Sequence, residues 1–181
     1  MSKPLRSQPT RDRILAEARR LFAEHGYERT TIRAVGAAAE VNSSMVLRYY
    51  GSKEDLFATA ATIDFRMPDL AGLPQEQRGR ALVRHVLERW EAGDELPALL
   101  RAAATHEAAQ RRLGEVIQQQ AAPAIMRVLP EDRRQTRLAM IVMQIAGLVL
   151  SRYVLKHSPV AAIDRAELIE MVGAVVQSHL Q

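Results

Sequence analysis

The chain has 181 residues, 48% of them hydrophobic, with a net charge of +4, a pI of about 9.8 and no cysteine. That is enough for one compact body, or for one small and one medium domain. Disulfides and thiolate metal sites are excluded. No apolar run approaches the roughly 20 residues of a bilayer span; the nearest, residues 140–150, is broken by Gln144 and Gly147. The N-terminus is polar and basic, so no signal peptide is read there and a cytoplasmic protein is expected.

Residues 1–9 hold two prolines and the cations Lys3 and Arg6, and read as a flexible basic arm that either follows a minor groove or hangs free. Thr10 is expected to cap the first helix, with Asp12 in its first turn where the helix dipole favours an anion. Ile14, Leu15, Ala18, Leu21 and Phe22 recur at helical spacing and predict a helix over 11–25, with Gly26 just past its end. Two short helices follow, 31–40 and 43–50, around a turn on Val41 and Asn42, with Asn42 as the cap of the second. Their inward positions are Ile32, Val35, Ala38, Ala39, Val41, Val46 and Leu47. Between these lie Thr31, Arg33, Ser43, Ser44, Arg48, Tyr49 and Lys53: hydroxyls, cations and a phenol. A helix pair with that outer face fits a nucleic-acid reader whose second helix enters a major groove. The charge agrees. Residues 1–53 carry ten Lys and Arg against five acids, while the remainder carries fifteen against sixteen. The excess cations sit where phosphates would be met.

Ser52 is read as the cap of a fourth helix running through Leu56, Phe57, Ala60 and Ile63 to about residue 65, so that this helix joins the two parts of the chain directly. Met67-Pro68 and Gly72-Leu73-Pro74 then interrupt the chain. Helices are predicted over 76–91, stopped at Gly93-Asp94, then from Pro97 to about residue 105, and over 107–128 with a kink or split at Pro123. Pro130 is expected to open a helix reaching residue 156 or 157. That helix is apolar around much of its circumference, which predicts burial on two sides. Asp164 and Glu167 form a capping-box-like pair for the last helix. No strand is predicted; the fold is all-α. Phe65, His85, Trp90, His106, Met126, Met140, Met143 and Gln144 are the candidates for a ligand pocket, against the alternative of ordinary core packing; methionines suit adaptable apolar sites. His106-Glu107 lacks the second histidine of a zinc-protease motif, and His85 with Glu88 is not a metal site. No phosphate loop or serine elbow is present, so neither catalysis, a cofactor nor a metal is expected.

The stretch TRDRILAEARRLFAEHGYERTTIRAVGAAAEVNSSMVLRYYGSKEDLF, about 48 residues, resembles the DNA-binding domain of the tetracycline-repressor (TetR) family of transcriptional regulators. The likeness rests on the ILxxAxxLFxxxGY segment, Thr30-Thr31, the Val41 turn, the Tyr49-Tyr50 pair, and Ser52-Lys53-Glu54 before Leu56-Phe57. It implies a helix-turn-helix domain over 10–51 and a helical effector-binding and dimerisation domain over 52–181. It also implies a homodimer joined by the last two helices, to which Leu148, Val149, Val172, Val176 and Leu180 are assigned. The implied function is a ligand-responsive regulator, most readily a repressor, that binds a pseudo-palindromic double-stranded operator and is released by an apolar small molecule. Arg33, Ser43, Ser44, Met45 and Arg48 are then the expected readers, Met45 toward a thymine methyl; Thr31, Tyr49 and Lys53 are the expected phosphate contacts. Three departures stand out. Glu40 replaces a common turn glycine, Ser44 stands where Gly or Pro is frequent, and Leu47 replaces a tyrosine and so removes a phosphate contact. The alternatives are an all-α interaction module without DNA binding and, further off, a small-molecule enzyme or carrier.

Overall fold

The computed structural model describes residues 8–60, 63–93 and 95–181. Lys3, Arg6 and most of the expected basic arm lie outside the described residues, as does Asp94 of the expected helix stop. The described residues form helices and loops with no strand. They divide into two compact units, one drawn from the described residues of 1–63 and 94–113, the other of 64–93 with 114–181.

The first unit begins with α1 (Gln8–Arg29). Its start lies ahead of the expected cap: Thr10 is helical, because Pro9 fits a first turn, where its missing N–H costs nothing, and Gln8 Nε2 donates to Asp12 Oδ1 at 2.9 Å. Gly26 breaks the helix at φ 74°, as expected of a residue past a helix end. Thr30, fully buried, ties that break down by donating to the Leu21 and Gly26 carbonyls. Then come α2 (Ile32–Ala38) and α3 (Ser43–Tyr50). Thr31 caps α2 by accepting from Ala34 N, and Asn42 caps α3 by accepting from Met45 N. The turn between them needs Gly36, since a Cβ there would meet the Val41 carbonyl at 2.9 Å. It also holds Glu40 at φ 54°, the left-handed conformation a glycine adopts freely. Helix α4 (Lys53–Ala60) starts from Ser52, whose Oγ accepts from Asp55 N at 2.9 Å. It buries Leu56 and Phe57 against α1, with Phe57 edge-on to Phe22 at 5.0 Å and to Tyr27 at 4.9 Å. This packing places α4 with the helix-turn-helix, not with the C-terminal body where a single cut after residue 51 would put it. Helix α6 (Glu95–Ala103) and the first part of α7 (Glu107–Val116) belong to the same unit.

The fourth helix does not continue to residue 65. Residues 63–69 are irregular, because neighbouring side chains bind their backbone sideways. Phe65 N donates to Gln120 Oε1 at 2.6 Å, the Phe65 carbonyl meets His85 Nε2 at 2.8 Å, and Arg89 donates to the Asp64 carbonyl at 2.7 Å. Such bonds replace the helical ladder.

In the second unit a 3-10 turn (Gln75–Gln77) leads into α5 (Arg78–Glu91). The long segment ending at Val128 is split, as Pro123 requires, by a π turn at Ile117–Ala121 ahead of α8 (Ala122–Met126). Pro130 does not open the next helix. Arg134 donates to the Leu129 and Pro130 carbonyls, Arg133 sits at φ 51°, and α9 starts only at Arg134 (Arg134–Val149). A π turn at Leu150–Val154 ends it, and a short α10 (Ser158–Ala162), unforeseen in the sequence, follows. Asp164 then caps α11 (Arg165–His179) through Ala166 N and Glu167 N. Helices α5 and α11 cross with their backbones in contact. A Cβ on Gly79 would meet Gln177 N at 2.7 Å, and one on Gly173 would meet Arg80 Cα at 2.9 Å. Gln177, buried at this crossing, accepts from Gly79 N at 2.8 Å. The continuous helix Arg134–Val154 has 21 residues, longer than the uncharged run counted in the sequence; its most apolar 18-residue stretch has a mean hydropathy of 1.4, and only 22% of that stretch is buried in this chain.

Candidate nucleic-acid interface

Helix α3 turns Val46 and Tyr50 inward, both buried, and Tyr50 Oη fastens it to α1 by donating to the Arg11 carbonyl at 2.8 Å. Arg13 does the same for α2, donating from Nε to the Ala39 carbonyl at 2.8 Å, a cation at a helix C-terminus. With both helices held from behind, their outer faces are free. Thr31, Arg33, Ser44 and Arg48 are exposed; Ser43, Met45, Tyr49 and Lys53 are half-buried. Arg33 and Arg48 make no hydrogen bond or ion pair among the described residues. Two unneutralised guanidiniums on adjacent short helices are what a phosphate-lined groove would meet.

Several expected contacts are already engaged. The Thr31 oxygen accepts from Ala34 N, which leaves its O–H free to donate. Ser44 Oγ donates to Asn42 Oδ1 at 2.7 Å and is less available to a base. The Lys53 ammonium rests over the Tyr27 ring at 4.3 Å and reaches the Glu28 carbonyl at 3.4 Å. Tyr27 is itself aimed by Glu54, to which its phenol donates at 2.7 Å. Burial first, and then Glu54, push the Tyr27 phenol well above its ordinary value. Glu54 feels an opposing burial effect, but hydrogen bonds from Tyr27 and its own backbone, with His106 nearby, carry it below the usual carboxylate range. His106 Nε2 lies 3.8 Å from Glu54. The role of Tyr27 was not visible in the sequence because its partner is 27 positions away.

Leu47 departs most from expectation. The sequence assigns it to the inward set, yet it is 43% exposed. At about 100° per residue it cannot share the face of both Val46 and Tyr50 completely, and it falls beside Ser43, Ser44 and Arg48.

Of the ligand-pocket candidates, Phe65 and Trp90 are buried in the second unit, Trp90 stacked on Tyr153 at 6.0 Å. His85, Met126, Met140 and Gln144 are half-buried there, and Met140 lines a cleft of about 250 Å³ with Thr136 and His179. His106 does not join them: it lines a cleft of about 470 Å³ in the first unit with Arg11, Tyr49 and Arg111. Met143 is 57% exposed. Of the residues assigned to the dimer seam, Leu148, Val149, Val176 and Leu180 are buried within this chain and Val172 is half-buried. The large exposed apolar residues of the same helices and the π turn are Met143, Leu150, Met171 and Val175.

Residues 14–60 match the family described as bacterial regulatory proteins, tetR family, and residues 76–180 match tetracyclin repressor-like, C-terminal domain. The chain therefore belongs to the tetracycline-repressor family of bacterial regulators. Over 85 residues it is 39% identical to the HTH-type transcriptional repressor AcnR of Corynebacterium glutamicum, covering 44% of this chain and 45% of that one. Over 50 residues it is 40% identical to the HTH-type transcriptional regulator TcmR of Streptomyces glaucescens, covering 28% and 22%. The matched segment thus spans less than half the length of these curated relatives. A TetR-family regulator of Streptomyces coelicolor A3 superposes with a TM-score of 0.50 at 26% identity, over 99% of each chain. The fatty acid degradation regulator FadR of Bacillus halodurans shares the fold, with a TM-score of 0.54 at 19% identity over 94% of this chain and 99% of that one.

Proposed function

We propose that the chain is a dimeric, ligand-responsive transcriptional repressor without catalytic activity. The observation that carries this reading is the outer face of α2 and α3, where Arg33 and Arg48 stand exposed and unpaired within the segment that matches the family. Arg33, Arg48 and Ser43 read bases in the major groove, with an arginine able to bind guanine through two hydrogen bonds. Thr31, Tyr49 and Lys53 hold phosphates and fix register.

Two copies meet through α9 and α11. Exposed Met143, Leu150, Met171 and Val175, with exposed Gly147 admitting close approach, form the seam, in place of Leu148, Val149, Val176 and Leu180, which are core in their own chain. The dimer sets two α3 helices in successive major grooves of an operator, roughly 34 Å apart. An apolar small molecule enters the second unit beside Met126, Met140 and Gln144. It shifts the protein to a form with the wrong helix spacing only to the extent that it binds that form more tightly.

The test is a mobility shift and footprint on DNA flanking the protein's own gene, at several salt concentrations. A protected two-fold site whose affinity falls steeply with salt supports the reading. A confirmed dimer with no protected site would favour an interaction module.

A further inference from the structure

We propose that Leu47 is a base-reading residue that recognises the 5-methyl group of thymine on the floor of the major groove. The proposal rests on the DNA-binding reading above and makes it specific. Six large apolar side chains are exposed among the described residues: Leu47, Met143, Leu150, Leu155, Met171 and Val175. Five of them lie in the second unit, and Leu47 alone lies in the first.

Its surroundings define what can cover it. One turn before it on α3 are Ser43 and Ser44, and beside it is Arg48. A hydrophobic protein partner would have to desolvate that arginine, which has no acid to pair with among the described residues. A nucleic acid supplies phosphates for the cation and, between them, one apolar group on the edges of the bases: the thymine methyl. Leucine has neither donor nor acceptor, so it serves no phosphate and reads nothing else in the groove. Met45, the other apolar side chain near the start of α3, is half-buried and two residues away around the helix, on a different side. Ser44 has its hydroxyl tied to Asn42. Leu47 is thus the side chain on this face whose exposure is explained by a methyl group and by nothing within the chain.

The experiment begins with selection of the operator from a randomised duplex pool by the full-length protein. Each thymine of the selected half-site is then replaced by deoxyuracil, which removes the methyl and leaves the base pairing intact. Removing the methyl under Leu47 should weaken wild-type binding about fourfold per half-site, the cost of re-exposing about one methyl group. Leu47→Ala should bind more weakly but respond no further to that replacement, and its salt dependence should match the wild type because no phosphate contact is lost. The proposal is overturned if every deoxyuracil duplex binds the wild type as well as the thymine duplex. It is overturned equally if Leu47→Ala keeps the full response or loses salt dependence. Selection that enriches no sequence overturns the DNA-binding reading, and this proposal with it.

Discussion

The outer face of α3 and the outer faces of α9 and α11 are both exposed, yet they are built from opposite materials. On α3, exposed Ser44 and Arg48 flank a single leucine. On α9, α11 and the turn between them, Met143, Leu150, Met171 and Val175 are exposed, with Ala146, Gly147 and Ala174 exposed among them. An unpaired cation in water is fully hydrated and carries no cost. An apolar stripe in water carries a standing cost that a second apolar surface removes. A face of the first kind suits a reversible, salt-tuned contact, and a face of the second kind suits a lasting association.

The comparison breaks first at the core. Val176→Arg and Leu148→Arg place a charge inside the second unit and should unfold it, at about 3–5 kcal/mol; circular dichroism would show lost helicity, not a folded monomer. Met171→Arg, on the neighbouring exposed face, should instead give a folded monomer by sedimentation. A Met171→Arg protein that stays dimeric would move the seam elsewhere. Arg48→Ala should leave fold and dimer intact and weaken operator binding by about tenfold, within the range for one lost base contact. Tyr27→Phe keeps the ring under Lys53 but loses the hydrogen bond to Glu54, worth about 1–2 kcal/mol of stability at neutral pH. Since Glu54 titrates below its unfolded value, its contribution is complete above that value and fades as pH falls through the depressed one. Urea melts of the two proteins should therefore converge in acid. The smallest effect is a gain: Glu40→Gly should stabilise the turn by about 1 kcal/mol, because glycine adopts φ 54° without strain.

What the sequence disclosed was what acts within a few residues. The α3 boundaries at Ser43 and Tyr50, the Asn42 and Asp164 caps, the break at Gly26 and the split near Pro123 all follow from local chemistry. The misreadings share a different cause. Leu148 and Met143 lie on one apolar helix, and composition cannot choose which side of it the chain itself fills; tertiary packing chose Leu148. Residues 63–69 left the helix because Gln120, His85 and Arg89, far along the chain, bind their backbone. Leu47 was assigned inward by hydrophobicity alone, and the residues that hold α3 from behind, Val46 and Tyr50, turned it out. The exposure of Thr31, Arg33, Ser44 and Arg48 was legible because they are short-range departures from an amphipathic pattern; which side of α9 and α11 stays exposed was not.

The Gly79–Gly173 crossing has a consequence for anyone who would redesign this protein as a sensor. What a new side chain would strike there is main chain: Gln177 N on one side and Arg80 Cα on the other. No trimming of neighbours makes room, so the two positions act as a fixed axle. A library meant to change the proposed effector should leave both glycines alone and spend its diversity at the half-buried Met126, Met140 and Gln144.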